Sequence, residues 1–335
     1  MPDERAPLGE FAWIRRLTSR LPRGAGVIVG PGDDAAVVRP ADGMDLAITT
    51  DAFIEERHYR RSWAREPAAV TALANAVGRR LAAAGLSDLA AMAALPRWAV
   101  LSIGTNGRDP AWLEALEHAL AQKLDQAGAA LVGGNLGRVS GPEWFDLTLV
   151  GEVERGRAWT RRGARAGDLV AVTGAPGRAA AFLAIAEAHF SGRKEEESGA
   201  LAAAWCDPPL RVAAARALAA AGGVTAAIDL SDGLTSDLSW LCEASGIGAE
   251  LDEAALAGGA TAAPETCFGP SDDYELLLAI DPAKREACEQ AARGAGAPLT
   301  FIGRATATRG ELTLHRSNGS REPLAPRGYD HFDQR

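Results

Sequence analysis

The stretch Ala226-Ala-Ile-Asp-Leu-Ser-Asp-Gly-Leu234 passes from a short apolar run into a polar turn, and beyond it Leu234, Leu238 and Leu241 recur at helical spacing. This reads as a strand, a loop and an amphipathic helix. Asp229 stands at the strand end, with Ser231 and Asp232 in the loop. In open α/β architectures the loops beyond strand ends are where ligands sit. The same grammar recurs outward along the chain. Leu169 to Thr173 is a strand that meets Gly174-Ala-Pro-Gly177 and then an Ala-rich helix. Val27 to Val29 leads into Gly-Pro-Gly-Asp33-Asp34, Ala35 to Val38 is a further strand, and Leu46 to Thr50 is a strand ending at Asp51.

Between these lie the helices. Residues 9–21 place Phe11, Ile14, Leu17 and Leu21 on one face, and Pro22 with Gly24 stops the helix. A long helix starts near Pro67 with Val70, Leu73, Val77 and Leu81 inward; Ser87-Asp88 then caps a short apolar helix from Leu89 to Ala94. Trp98 to Ile103 is a strand, and Pro110 to Gln126 a helix with Leu113, Leu116, Leu120 and Leu124 inward. Ala130 to Val132 runs into Gly133-Gly134, and Phe145 to Val153 closes the first half as a strand. In the second half, Ser191 to Gly199 is an exposed connection. Glu275 to Ile280, Leu299 to Ile302 and Glu311 to His315 are strands, and Asn318-Gly319 marks a hairpin. The charged, Gly-bearing segment from Arg155 to Asp168 is the best boundary, dividing the chain into domains 1–154 and 155–335. The fold class is α/β (α+β) with two domains.

A chain of 335 residues, 47% apolar, can bury two cores. No apolar stretch reaches the ~18 residues of a membrane span, and Met1-Pro-Asp-Glu-Arg5 opens no secretory signal, so a cytoplasmic location is expected. Acidic residues outnumber basic ones, 44 to 35, for a formal charge of -9. Binding nucleic acid needs a surplus of Lys and Arg, which is missing here. Cys206, Cys242, Cys267 and Cys288 form no C-x-x-C pair and read as reduced structural thiols. The five histidines form no H-E-x-x-H set, Ser231 lacks a histidine partner in a nucleophile motif, and no Walker A or G-x-G-x-x-G pattern follows a strand.

What remains is the placement of carboxylates. Asp33 and Asp34, Asp51, Asp88, Asn135, Asp229 and Asp232 all fall at expected strand ends or helix starts, beside Gly, Ser or Thr. Each alone is more often a cap or turn residue. Together, aspartates converging on one cleft repel each other unless cations lie between them. Carboxylates, waters and phosphate oxygens are the ligands Mg²⁺ prefers. A metal–polyphosphate site accounts for both the convergence and the acidic balance.

The ordered set resembles the thiamine-monophosphate kinase family. The resemblance rests on Gly30-Pro-Gly-Asp-Asp-Ala-Ala-Val37, Thr49-Thr-Asp-Ala-Phe53 through His58-Tyr59, Leu86-Ser-Asp-Leu-Ala-Ala-Met92 and Gly133-Gly-Asn135. It continues through Trp159-Thr-Arg-Arg-Gly-Ala-Arg-Ala-Gly-Asp168, Asp229-Leu-Ser-Asp-Gly-Leu234, Asp273-Tyr-Glu-Leu276 and Gly328-Tyr-Asp-His-Phe332. It runs in the family's order from Gly9-Glu-Phe11 nearly to the C-terminus. It implies the fold of aminoimidazole ribonucleotide synthetase, with an N-terminal domain that pairs with its twin in a homodimer. It also implies ATP and several Mg²⁺ ions in the cleft between domains, and thiamine monophosphate as phosphoryl acceptor. Carried over by motif, Asp34, Thr49, Thr50, Asp51, Asp88, Asn135, Asp229 and Asp232 form the metal shell, with Asp34, Asp51, Asp88 and Asp232 central to catalysis. Gly134, Asn135, Arg161 and Ser231 contact ATP, while His58, Asp272 and Tyr329 face the substrate.

The chain departs from the pattern at four places, one of them Glu56, which replaces a small residue before His58. Gly85 stands where the family usually has Asn, Gly133-Gly-Asn-Leu-Gly137 replaces Gly-Gly-Asp-Thr-Thr, and Asp272 replaces a Glu. Two other readings stay open. One is another ATP-dependent enzyme of the fold group, such as a hydrogenase maturation factor or selenophosphate synthetase, the latter opposed by the absence of Cys before Cys206. The other is a catalytically silent nucleotide-binding paralogue, kept open by Gly85, Asn135 and Asp272.

Overall fold

The computed structural model describes residues 24–29, 35–107, 109–192, 198–259 and 264–329. The expected first helix, Asp33 and Asp34 lie outside the described residues, as does most of the Ser191 to Gly199 connection. A small hairpin of β1 (Val27–Val29) and β2 (Val37–Val38) precedes the first main sheet. That sheet consists of β3 (Met44–Ile54), β4 (Leu95–Thr105), β5 (Ala130–Arg138) and β6 (Trp144–Glu154), in the order β3-β6-β4-β5. Only β4 and β5 pair in parallel. A parallel pair needs a crossover, which α2 (Pro110–Gln126) provides. Asp109 starts that helix by accepting a hydrogen bond from the Trp112 amide at 3.1 Å, and Pro110 occupies a first-turn position with no amide to satisfy.

Strand alternation sorts the sheet into two faces. Phe53, Leu101, Ile103, Phe145, Leu147 and Leu149 point at α2 and at α1 (Pro67–Ala91), where they meet Leu73, Val77, Leu81, Leu116 and Leu120 in one core. The two helices cross closely at Gly78, where a Cβ would stand 2.1 Å from the Leu116 carbonyl oxygen. Among the described residues the other face stays largely uncovered: Leu46, Ile48 and Val100 are exposed there, and the β1–β2 hairpin packs at the end near Trp98 and Val150.

The second sheet has the order β13-β12-β9-β11-β7-β10-β8. Its strands are β7 (Leu169–Thr173), β8 (Val224–Leu230), β9 (Gly248–Asp252), β10 (Glu275–Ile280), β11 (Leu299–Thr306), β12 (Leu312–His315) and β13 (Arg321–Pro323), antiparallel except for β9 with β12. Of the remaining helices, α3 (Arg178–Leu183), α4 (Ala186–Phe190) and α5 (Ser198–Cys206) pack through Phe182, Phe190 and Trp205 into the first core. Helices α6 (Val212–Ala221), α7 (Leu234–Ser245), α8 (Glu253–Gly259), α9 (Pro264–Phe268) and α10 (Arg285–Gly294) accompany the second sheet. The expected hairpin at Asn318-Gly319 joins β12 to β13.

Three expectations are corrected. The helix from Pro67 does not break before Ser87-Asp88; it runs unbroken to Ala91, and both residues lie inside it. Capping propensity loses to burial: Leu86, Leu89 and Ala90 continue the packed surface, at about 1.5–3 kcal/mol for each fully buried large side chain. Asp51 is not at a strand end, because β3 runs on to Ile54 along its full pairing with β6. Nor does β5 stop before Gly133-Gly134; both glycines and Asn135 lie within it. The last turn of α1 leaves the first core for the second: Ala90 and Ala91 pack with Ala171, Ala227, Leu276 and Leu278. The two halves are thus joined through α1, and Asp88 is carried to their junction.

Candidate functional site

At that junction carboxylates arrive from three elements. Asp88 on α1 accepts a hydrogen bond from the Thr49 hydroxyl on β3. Two residues on, on the same strand face, Asp51 has its Oδ2 shut off from water with no hydrogen-bond partner. Gly85 of α1 lies against it, and a Cβ there would be 3.4 Å from this oxygen but only 2.7 Å from Leu149 Cδ1. Asp229, near the end of β8, is 4% exposed.

The three do not ionise independently. Burial, then the Asp88 and Asp146 charges, pushes Asp51 up to about 7. Burial also raises Asp88, opposed by the Thr49 hydrogen bond and the Arg161 charge. Asp229 is raised well above the ordinary carboxylate range by burial, then by Asp88 and Asp237. Such a cluster is costly as bare anions, and hard cations near its oxygens would relieve the repulsion. Among the described residues, though, no three His, Cys, Asp or Glu side chains are gathered closely enough to hold one ion by themselves. The unpartnered Asp51 oxygen and the mutual repulsion fit Mg²⁺.

The loop after β8 is held from below. The Asp237 carboxylate accepts hydrogen bonds from the amides of Ser231, Asp232 and Gly233 at 3.2, 3.2 and 3.1 Å. Gly233 has φ 117°, and a Cβ on it would stand 2.2 Å from the Gly269 carbonyl oxygen, so the turn admits no other residue without distortion. Tyr329 docks on the same loop, donating its amide to the Asp232 carbonyl at 3.2 Å.

A cleft of about 710 Å³ opens from these groups, lined by Thr50, Asp51, His58, Ser231, Asp232, Asp272 and Tyr329, with Phe53, Trp63 and Tyr274 as aromatic wall. His58 is oriented by accepting the Ile54 amide at Nδ1, 3.0 Å away, and by stacking on Phe53 at 4.9 Å. The remaining sequence-predicted residues do not line this cleft. Thr49, Asp88 and Asp229 lie behind Asp51. Arg161 is exposed and reaches the cluster through its charge on Asp88. Gly134 and Asn135 are exposed on edge strand β5. Asn135 shares a register row with Ser102, Asp146 and Ala52, three strands or roughly 14 Å from β3. Asp34 lies outside the described residues.

Sequence reasoning missed Asp146, Asp237 and Arg80. Asp146 accepts from the Thr50 hydroxyl at 3.0 Å. Its signal was the alternation Phe145-Asp-Leu-Thr-Leu149, which puts it on the open face. Arg80 falls on the apolar stripe of α1 between Val77 and Leu81, an unusual place for a charge.

The two halves match the family models for the N-terminal domain of AIR synthase related proteins over residues 32–153 and for the C-terminal domain over residues 165–315. This defines the class as an AIR-synthase-related protein. The thiamine-monophosphate kinase of Escherichia coli strain K12 is 35% identical over 333 residues, spanning 97% of this chain and 98% of the relative. The crystal structure of the thiamine-monophosphate kinase from Stenotrophomonas maltophilia K279a superposes with a TM-score of 0.77 at 30% identity, over 95% of this chain and 98% of that one. AaThiL, solved in complex with AMPPCP and TMP, shares the fold at a TM-score of 0.72 and 24% identity, covering 97% of each chain. The chain belongs to the thiamine-monophosphate kinase family.

Proposed function

We propose that the cleft performs the in-line transfer of the ATP γ-phosphoryl group to the phosphate of thiamine monophosphate, giving thiamine diphosphate. The observation that carries this reading is the buried trio Asp51, Asp88 and Asp229, drawn from both halves and opening through Asp51 into a cleft with an aromatic wall. The acceptor needs no general base, since a phosphate with a second pKa near ~6 is largely dianionic at neutral pH. The task is to hold two polyanions in line. When bound, Mg²⁺ neutralises those charges and templates their oxygens. Asp34, Thr49, Thr50, Asp51, Asp88, Asn135, Asp229 and Asp232 are the residues proposed to hold it. Ser231, Gly134, Asn135 and Arg161 are proposed for the nucleotide, and His58, Asp272 and Tyr329 for the thiamine end. Tyr329 offers an aromatic face to a cationic ring.

The domain division at 154/155 is supported by the end of β6 at Glu154. A homodimer through the open sheet face is supported by its exposed Leu46, Ile48 and Val100, 46%, 67% and 38% accessible. Among the described residues no helix is long and apolar enough to cross a membrane. We place the enzyme in the cytoplasm, where ATP and Mg²⁺ are at hand. The deciding assay couples ADP release to chromatographic detection of the diphosphate at saturating ATP and Mg²⁺. A protein that binds ATP but forms no diphosphate is the silent paralogue instead.

A further inference from the structure

We propose that Arg80 is a positioning residue for the substrate: it holds Asp272 as a fixed acceptor in the cleft wall, and so sets affinity for the amine-bearing ring of thiamine monophosphate. This inference rests on the cleft being the thiamine monophosphate site.

Arg80 is wholly buried. A guanidinium in that position is tolerated only if its charge and its donors are matched. Here the two terminal nitrogens are matched, while Nε has no hydrogen-bond partner. Nη1 donates to the Trp205 carbonyl at 3.0 Å, and Nη2 to the Asp272 carbonyl at 3.0 Å and to its carboxylate Oδ2. The guanidinium also lies 4.7 Å from the Trp205 ring centroid and 5.1 Å from that of Tyr274. Backbone and side chain of Asp272 are thereby fixed by a single group on α1, 192 residues away in the chain.

A plain strut between the two halves would use the whole carboxylate. This one does not: Oδ1 of Asp272 is shut off from water and has no hydrogen-bond partner, in a residue that lines the cleft. Arg80 occupies one oxygen of the carboxylate and leaves the other to accept. The backbone beside it is equally committed. Tyr274 holds φ 56°, a left-handed conformation rare for an aromatic residue, and is pinned by its amide to the Leu230 carbonyl at 2.9 Å. The matching ligand group is an N–H donor, such as the exocyclic amine of an aminopyrimidine. Lysine cannot replace this arrangement, because a point charge cannot serve two carbonyls and a carboxylate in one plane.

The test is steady-state kinetics with calorimetric titration of thiamine monophosphate on wild type, Arg80→Lys, Asp272→Asn and Arg80→Lys/Asp272→Glu, each first checked for a cooperative melt. Arg80→Lys and Asp272→Asn should each raise the thiamine monophosphate KM and Kd by roughly tenfold, as for a lost hydrogen bond to a charged group. KM for ATP and kcat of Arg80→Lys should stay within about twofold. The longer carboxylate of the double variant, reaching a shorter cation, should recover much of the lost affinity. A structural role alone would lower all parameters together and show no such rescue, and that result overturns the inference. So does wild-type affinity in Arg80→Lys. Wild type that fails to bind thiamine monophosphate at all overturns the substrate assignment itself, and the inference with it.

Discussion

Asp51 carries more of the proposed chemistry than any other single residue, because it joins the buried carboxylates to the cleft. Asp51→Asn keeps the shape and removes the charge. We expect kcat to fall at least ~100-fold, since losing an anionic ligand removes several kcal/mol of charge stabilisation. The melting temperature of the metal-free protein should hold or rise, because a disfavoured anion has gone. Near-normal turnover would reduce Asp51 to a packing residue. Asp237 makes a different point: it does not line the cleft, yet it gathers three consecutive amides of the Ser231 loop. Asp237→Ala should cost about 2–3 kcal/mol in a urea titration, for lost hydrogen bonds to a charged acceptor, and should raise the ATP KM as Ser231 loosens. An unchanged ATP KM would detach Ser231 from the nucleotide. Asp51, Asp88, Asp229 and Asp232 were legible in the chain because each sits inside a motif of Gly, Ser and Thr. Asp237 and Arg80 were not, since their roles depend on partners that only folding brings near.

At the scale of elements, apolar periodicity located most helices and strands, and failed where a polar residue sat inside a buried element. Ser87-Asp88 looked like a cap because serine and aspartate favour caps, but α1 passes through them with Ser87 2% exposed. The aspartates looked like strand-end residues for the same reason; Asp51 is mid-strand, and Asp88 lies inside α1. Strand β9 and helix α10 went unread, the first with two charged residues, Glu250 and Asp252, in a short run and the second polar except for Cys288 and its alanines. The crossing of α1 over α2 depends on Gly78, which leaves no room for a Cβ against the Leu116 carbonyl. Gly78→Ala favours the isolated helix by ~1 kcal/mol but should destabilise the protein by about 1–3 kcal/mol, because overpacking wins. A denaturation midpoint equal to or above wild type would show that the two helices can slide apart freely. Because α1 also carries Arg80 and Asp88, the same substitution should lower turnover beyond its effect on stability.

For the whole molecule the acidic balance becomes a prediction about pH and metal. Asp51 has its carboxyl raised from 3.8 to about 7 in the folded state. Between those values the native protein binds more protons than the unfolded chain, so stability falls as pH rises through that window and levels off above it. A shift of that size corresponds to something on the order of 4 kcal/mol for one carboxyl. In EDTA the melting temperature should therefore drop between pH 5 and pH 8. Mg²⁺ reverses the balance, since it needs the carboxylates ionised and binds only the folded site. The gain in melting temperature on adding Mg²⁺ should be small at pH 5 and largest at pH 8. Asp51→Asn should flatten both trends, which separates this cluster from other titrating groups. Differential scanning calorimetry at pH 5, 6 and 8, with and without Mg²⁺, settles the matter. A melting temperature in EDTA that stays level or climbs from pH 5 to 8 would mean that the three aspartates are solvated and apart. An Mg²⁺ gain independent of pH would mean that the ion binds elsewhere, and the carboxylate junction would then lose its claim to be the metal site.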